Sequence, residues 1–196
     1  MLTKLKYGNT NTYYINGLLI DTDYAGTLSA FYKEIKKNSI AIADIKYVLA
    51  THYHPDHIGL ISELTEIEIK LLLLEHQTKY VHYADSIFHR EPRLQYTPID
   101  ESAATIISCQ ESRSFLSGMG IQGEIIPTIS HSDDGIAVIL DDGNCCVGDL
   151  EPLEFIGAYE NNQALQEDWK RIFSYRPVTI YYGHANEKVS PRQILA

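Results

Sequence analysis

The chain has 196 residues, 44% of them hydrophobic and 21% charged, with a formal net charge of −10. Those proportions fit a folded globular chain, read here as a single domain over 1–196, and exclude a disordered or fibrous one. The acidic balance, with no block of lysine or arginine, disfavours a nucleic-acid backbone as partner.

The opening residues Met1 to Lys6 lack the apolar stretch of a signal peptide, and the longest apolar run, Ile67 to Leu74, is interrupted by Glu68 and Lys70. No membrane association is expected. Cys109, Cys145 and Cys146 are an odd set that suggests no disulfide framework, so the expected compartment is a reducing cytoplasm.

In chain order, residues 11–15 and 18–20 read as a hairpin turning at Asn16-Gly17, closed by Asp21. Leu28, Phe31, Tyr32 and Ile35 recur at helical spacing, which predicts a helix over 28–37 with Thr27 as its cap. A strand over 44–50 delivers a histidine-rich run, and a helix opens after His57 with Gly59 near its start. Residues 69–74 read as a buried strand, 78–88 as a helix, and Glu91-Pro92 as a loop. A short strand at 106–107 and a helix over 111–119 closed by Gly120 follow. Strands at 136–140 and 145–147 flank the turn Asp141-Asp142-Gly143, and a helix over 163–175 leads to a strand at 178–182 and the pair Gly183-His184.

The run Thr51-His52-Tyr53-His54-Pro55-Asp56-His57-Ile58-Gly59 concentrates imidazoles and a carboxylate where a strand ends. Imidazole nitrogen and carboxylate oxygen are ligands for zinc, iron or manganese, and a strand end holds them on a rigid base. His52 and His54 supply two ligands to one ion, and Asp56 with His57 two to another, so each ion needs more. Ionisable residues recur after other strand-like pieces: Asp21, His131, Asp149 and His184. His131 and His184 are natural third ligands, and Asp149 can bridge with its two oxygens. Asp133 and Asp134 read as a turn pair and only as second-choice ligands. His76, His82 and His89 read as a solvated or lid surface, and Tyr53 as packing.

Through Leu18-Leu19-Ile20-Asp21-Thr22, the run from Thr51 to His57, His131-Ser132-Asp133-Asp134-Gly135, Val147-Gly148-Asp149-Leu150 and Tyr182-Gly183-His184, the chain resembles the metallo-β-lactamase-fold hydrolase superfamily. The resemblance implies an α/β four-layer αββα sandwich with a dinuclear site at the edge between its sheets. It places His52, His54 and His131 on one metal and Asp56, His57 and His184 on the other. Asp149 would lie between them, with Asp21 orienting the ligands by hydrogen bonds.

The chain also departs from that pattern. Members commonly carry Pro-Gly before the third-motif histidine, whereas Ile129-Ser130 stands here and offers no glycine freedom. Asp149, where the true β-lactamases place cysteine, points toward the thioesterase, lactonase and phosphodiesterase branches. His54, where the di-iron oxidoreductases usually have glutamate, argues against their chemistry.

The expected activity is hydrolysis of an ester, thioester, lactone or phosphoester of a small molecule by a hydroxide bridging two divalent ions. Zinc is the first expectation for both ions, with iron or manganese as alternatives. Asp56 would act both as ligand and as proton shuttle. The competing readings are a mononuclear iron dioxygenase of the persulfide-oxidising sort, a nuclease, and a metal-binding protein without hydrolytic activity. The segment from Glu75 to Pro98 is expected to cover the substrate groove, and the oligomeric state is left open.

Overall fold

The computed structural model describes residues 1–158 and 162–190; the remainder of the expected 1–196 domain, at 159–161 and 191–196, lies outside the described residues. The first sheet begins with β1 (Thr3–Lys6), β2 (Asn11–Ile15) and β3 (Leu18–Ile20), paired antiparallel in that order. The β2–β3 hairpin turns on Asn16 and Gly17, both with positive φ (43° and 90°), as a tight turn matched to strand twist requires. After helix α1 (Leu28–Lys37), strands β4 (Tyr47–Leu49), β5 (Lys70–Leu74) and β6 (Thr105–Ile107) add parallel to β3, with α2 (Pro55–Ile58), α3 (Ile61–Glu66) and α4 (Asp85–His89) in the connections.

Helix α5 (Cys109–Gly118) leads to the second sheet, formed by β7 (Gly123–Pro127), β8 (Ile136–Leu140), β9 (Asn144–Cys146), β10 (Thr179–Tyr181) and β11 (Lys188–Val189), with α6 (Gln163–Ser174) between β9 and β10. Strands β9 and β10 are parallel, and the other pairs in this sheet are antiparallel.

Alternation along the strands sorts side chains into three cores, which makes the layers αββα. Leu71 and Leu73 pack with Phe31, Ile35, Ile61 and Leu64 beneath the helices that cover the first sheet. Leu72 and Leu74 turn the other way and meet Ile125, Val138, Leu140 and Cys146 between the sheets. Ile139, Cys145 and Ile180 face out from the second sheet onto Leu165, Trp169 and Ile172 of α6. Cys145 and Cys146 therefore lie on opposite faces, and the described cysteines are all free thiols.

Several local expectations are corrected. Residues 78–88 do not form one helix: a 3-10 turn over Glu75–Tyr80 is followed by the short α4. The apolar spacing is real, since Val81, Ala84 and Phe88 are buried, but Tyr83 N–H donates to Tyr80 O (2.8 Å), the tighter bond of a 3-10 turn. The strand expected over 44–50 is confined to Tyr47–Leu49, because Ile42–Asp44 coils into a 3-10 turn closed by the Asp44 carboxylate on Ala41 N–H. Thr27 stands at the cap position of α1, yet its hydroxyl donates to Tyr24 O instead of capping. The helix expected at 111–119 starts earlier, at Cys109, with Ser108 and Glu111 as a reciprocal capping box. Among the described residues no helix is long and apolar enough to cross a membrane.

Candidate metal centre

Parallel pairing sets the site. Ile20 of β3 sits beside Leu49 of β4, so Asp21 and Thr51-His52 leave the first sheet at the same edge. Cys146 of β9 sits beside Tyr181 of β10, which brings Asp149 and His184 out of the second sheet together. The edges are joined by backbone bonds from Ile136 N–H to Thr51 O (2.9 Å) and from Asn11 N–H to Gly183 O (2.7 Å). Helix α2 starts at Pro55, whose fixed φ suits a first helical position, and presents Asp56 and His57 from its first turn.

Three imidazoles form one cluster, His52, His54 and His131, and Asp56, His57, Asp149 and His184 form a second. In the first, His54 Nδ1 lies 3.0 Å from His52 Nε2 and 3.3 Å from His131 Nε2. In the second, His184 Nε2 lies 2.9 Å from Asp56 Oδ2 and 3.2 Å from Asp149 Oδ2, while His57 Nε2 lies 3.3 Å from Asp149 Oδ1. The clusters adjoin: Asp149 Oδ2 is 4.0 Å from His131 Nε2, and the His52 and His57 rings are centred 4.1 Å apart. Every site residue expected from the sequence is thus brought to one place.

The donor set fits divalent metal ions. His57 Nε2 and Asp149 Oδ1 are buried 3.3 Å apart, and neither has a well-aligned hydrogen-bond partner. Buried polar atoms are rarely left so, and these are the groups that would ligate an ion. Behind them Asp21 takes a left-handed backbone (φ 59°), strained for a residue with a side chain. That geometry aims its carboxylate at Thr51, which donates from N–H (2.6 Å) and Oγ1 (2.9 Å), and at His57 Nδ1, 3.0 Å away.

Two glycines are demanded by closeness. Gly148 has φ 58°, and a Cβ there would meet Thr51 Oγ1 at 2.4 Å; one on Gly183 would meet Asp149 Oδ1 at 2.4 Å and His57 Cε1 at 2.9 Å.

The clusters differ in electrostatics. Burial, reinforced by the neighbouring imidazoles of His57 and His54, holds the pKa of His52 well below its usual value, and burial likewise lowers that of His131 against the pull of Asp149. Burial also opposes charge on His57, but the carboxylates of Asp21 and Asp149 outweigh it and push that pKa up to about 10. Asp149 is held low: burial would raise it, and His57, His184 and His131 together win.

No glycine precedes His131 in its loop, and no positive φ occurs at Ile129, Ser130 or His131. Beyond the histidine the loop closes on Gly135, where Thr128 N–H donates to Gly135 O (2.8 Å) and a Cβ would meet Thr128 O at 2.1 Å; before it, side chains hold the turn. Ser130 N–H donates to Oδ2 of the buried Asp168 on α6 (2.8 Å), and Arg171 bridges Asp168 and Pro127 O. Asp134 accepts from Tyr53 N–H (2.6 Å) and from the Ser132 hydroxyl, so it belongs to the turn as expected. Asp133 faces the Tyr80 hydroxyl (3.3 Å), and His82 pairs with Asp85 and Glu101; they, His76 and His89 lie outside both clusters. Tyr53 is packed in the core beneath the helices. Unanticipated from the sequence are Thr51, Asp168, the fully buried Gln77, and Tyr83, whose ring is centred 5.7 Å from that of His54.

An αββα sandwich that converges these donors on the edge between its sheets is the metallo-β-lactamase fold. The sequence profile of the metallo-beta-lactamase superfamily matches residues 5–184, and the chain belongs to that superfamily. No curated protein matches it. Among solved structures it is similar to TTHA1429, a metallo-beta-lactamase family protein from Thermus thermophilus, with a TM-score of 0.73 at 18% identity over 98% of this chain and 75% of that one. It is similar to TTHA1623 in a di-iron-bound form, with a TM-score of 0.69 at 18% identity over 96% of this chain and 94% of that one. The B3 metallo-beta-lactamase BLEG-1 gives a TM-score of 0.67 at 18% identity, again over 96% and 94%. At that identity the likeness is one of fold.

Proposed function

We propose that the chain is a dinuclear metal-dependent hydrolase acting on an ester, thioester, lactone or phosphoester of a small molecule. The observation that carries this reading is the pair of adjoining ligand clusters joined by Asp149. His52, His54 and His131 would hold one ion, Asp56, His57 and His184 the other, and Asp149 would reach both. Zinc suits this nitrogen-rich set; iron is the second reading for the metal, supported by the likeness to a protein solved in a di-iron-bound form. When bound, the ions would lower the pKa of water toward neutrality and polarise the substrate oxygen.

The chain's own residues orient and move protons. Asp56 Oδ2, 2.9 Å from His184 Nε2, is the atom assigned to take the proton of the attacking water and pass it to the leaving group. Thr10 fixes that carboxylate's helix by donating its hydroxyl to Asp56 O (2.6 Å), and Asp21 fixes His57. The net charge of −10 supports a small molecule over nucleic acid, and the free cysteines support a cytoplasmic location.

Elemental analysis of protein purified without chelator, paired with turnover of p-nitrophenyl esters, a thioester, a lactone and a phosphodiester, tests the reading. Two equivalents of metal and metal-dependent hydrolysis of one class are expected. A single equivalent of iron with oxygen uptake on a persulfide would replace it with the dioxygenase reading, and metal with no turnover of any class would leave a binding protein.

A further inference from the structure

Gln77 lies in the 3-10 turn after β5, outside both ligand clusters, and is fully buried. Its side chain uses all its principal hydrogen-bonding capacity on backbone groups of three separate segments. The amide nitrogen donates to Ala50 O (3.1 Å), at the end of the strand that delivers His52, and to Asp134 O (3.0 Å), in the loop that delivers His131. The amide oxygen accepts from Leu74 N–H (3.3 Å). Ala50 and Asp134 are themselves buried, so no water stands ready to replace the amide. A buried side chain of this kind fixes the spacing of the segments it joins.

We infer that Gln77 is a positioning residue for the three-histidine cluster: its amide clamps the β4 end to the His131 loop and so holds His52 and His131 in reach of one ion. The second cluster is held chiefly by other supports, Asp21, Thr10 and the Gly183 backbone, and the two sets meet at Thr51, which bonds Asp21 and whose hydroxyl lies 3.2 Å from His52 Nδ1. Loss of the amide therefore weakens the three-histidine ion more than the other. The inference rests on the two-ion reading proposed above.

The test titrates Co2+ into metal-free Gln77→Met and wild-type protein, following visible bands and competition with a chelator. Gln77→Met keeps the side chain's length and removes its donors. Ser112→Ala is the control: Ser112 is equally buried and also ties backbone together, accepting from Ile125 N–H (2.9 Å) and donating to Cys109 O (2.6 Å), but it joins α5 to β7 and bonds neither Ala50 nor Asp134. Wild type is expected to bind two equivalents. Gln77→Met should bind one with bands and affinity near wild type and a second about ten- to a hundred-fold more weakly with altered bands, the scale set by groups that orient metal ligands. Ser112→Ala should match wild type. Unchanged binding by Gln77→Met, equal weakening of both equivalents, or the same selective loss in Ser112→Ala overturns the inference about Gln77 alone. A single equivalent in wild type overturns it together with the two-ion reading. Should Gln77→Met not fold, Gln77→Ala, which removes the amide without adding bulk or a buried charge, carries the same expectations.

Discussion

The two ligand clusters solve the same problem with opposite chemistry. His52, His54 and His131 form an all-imidazole set in which burial keeps His52 and His131 from protonating, so those ligand nitrogens are free at neutral pH while the set offers an ion no negative charge. Asp56, His57, Asp149 and His184 present two carboxylates with a third, Asp21, behind them, and Asp21 and Asp149 push the pKa of His57 up to about 10, which favours its protonated form in the metal-free protein. An approaching cation should be drawn first to the second cluster, where Coulomb attraction is stronger, and would displace that proton as it enters. The first cluster would then fill second, held by geometry more than by charge.

Asp56→Asn attacks the second cluster's chemistry with the smallest change of shape: turnover should fall by about 10²- to 10⁴-fold with both ions retained in elemental analysis, and undiminished turnover would remove Asp56 from its proton role. Gly183→Ala attacks that cluster's space. Its Cβ would stand 2.4 Å from Asp149 Oδ1, so turnover should drop at least about a hundred-fold and one equivalent of metal be lost. Asp21→Ala removes the support behind His57. It should weaken the first-filled ion by about ten- to a hundred-fold and leave the three-histidine ion nearer wild type, read by chelator competition.

Calorimetric titration near pH ~7 in two buffers of different ionisation enthalpy should show the first equivalent releasing about one proton, fading as pH approaches about 10, and the second equivalent releasing none from His52 or His131. In the metal-free protein the stability His57 contributes is fully present below its unfolded pKa near ~6.5 and is lost as pH rises through about 10. His52 and His131 act in the opposite sense, since their lowered pKa values mean that stability is lost as pH falls below ~6.5. Denaturant unfolding of metal-free protein across that range should therefore show a maximum between the two limbs. The smallest expected effect is Tyr83→Ala, which removes the ring beside His54 and should raise KM for aryl esters by about two- to ten-fold without altering metal content.

Much of this was legible in the chain itself. The run from His52 to His57 is local: extended backbone puts His52 and His54 on one side, and the turn of α2 adds Asp56 and His57. The hairpin at Asn16-Gly17, the strands β5 and β8, and α1 and α6 announce themselves by turn residues and by period. The edge strands β1 and β11 did not, because short strands with exposed polar residues owe their conformation to the neighbour they pair with. The broken helix between Glu75 and His89 is hidden for a related reason: its apolar spacing is that of a continuous helix in Val81, Ala84 and Phe88, while Gln77 pins the first turn to the sheet.

By itself, then, the sequence determined the ligand types, their order, and the strand ends from which they project, since those rest on spacing along one stretch of backbone. Only the tertiary structure decided how they are held. The left-handed Asp21, the Asp168 bond to Ser130 that stands in for a glycine before His131, and the Gln77 clamp are each a side chain meeting backbone groups of distant segments. Such bonds leave no periodicity in the chain, because their partners become neighbours only when the two sheets close on one another.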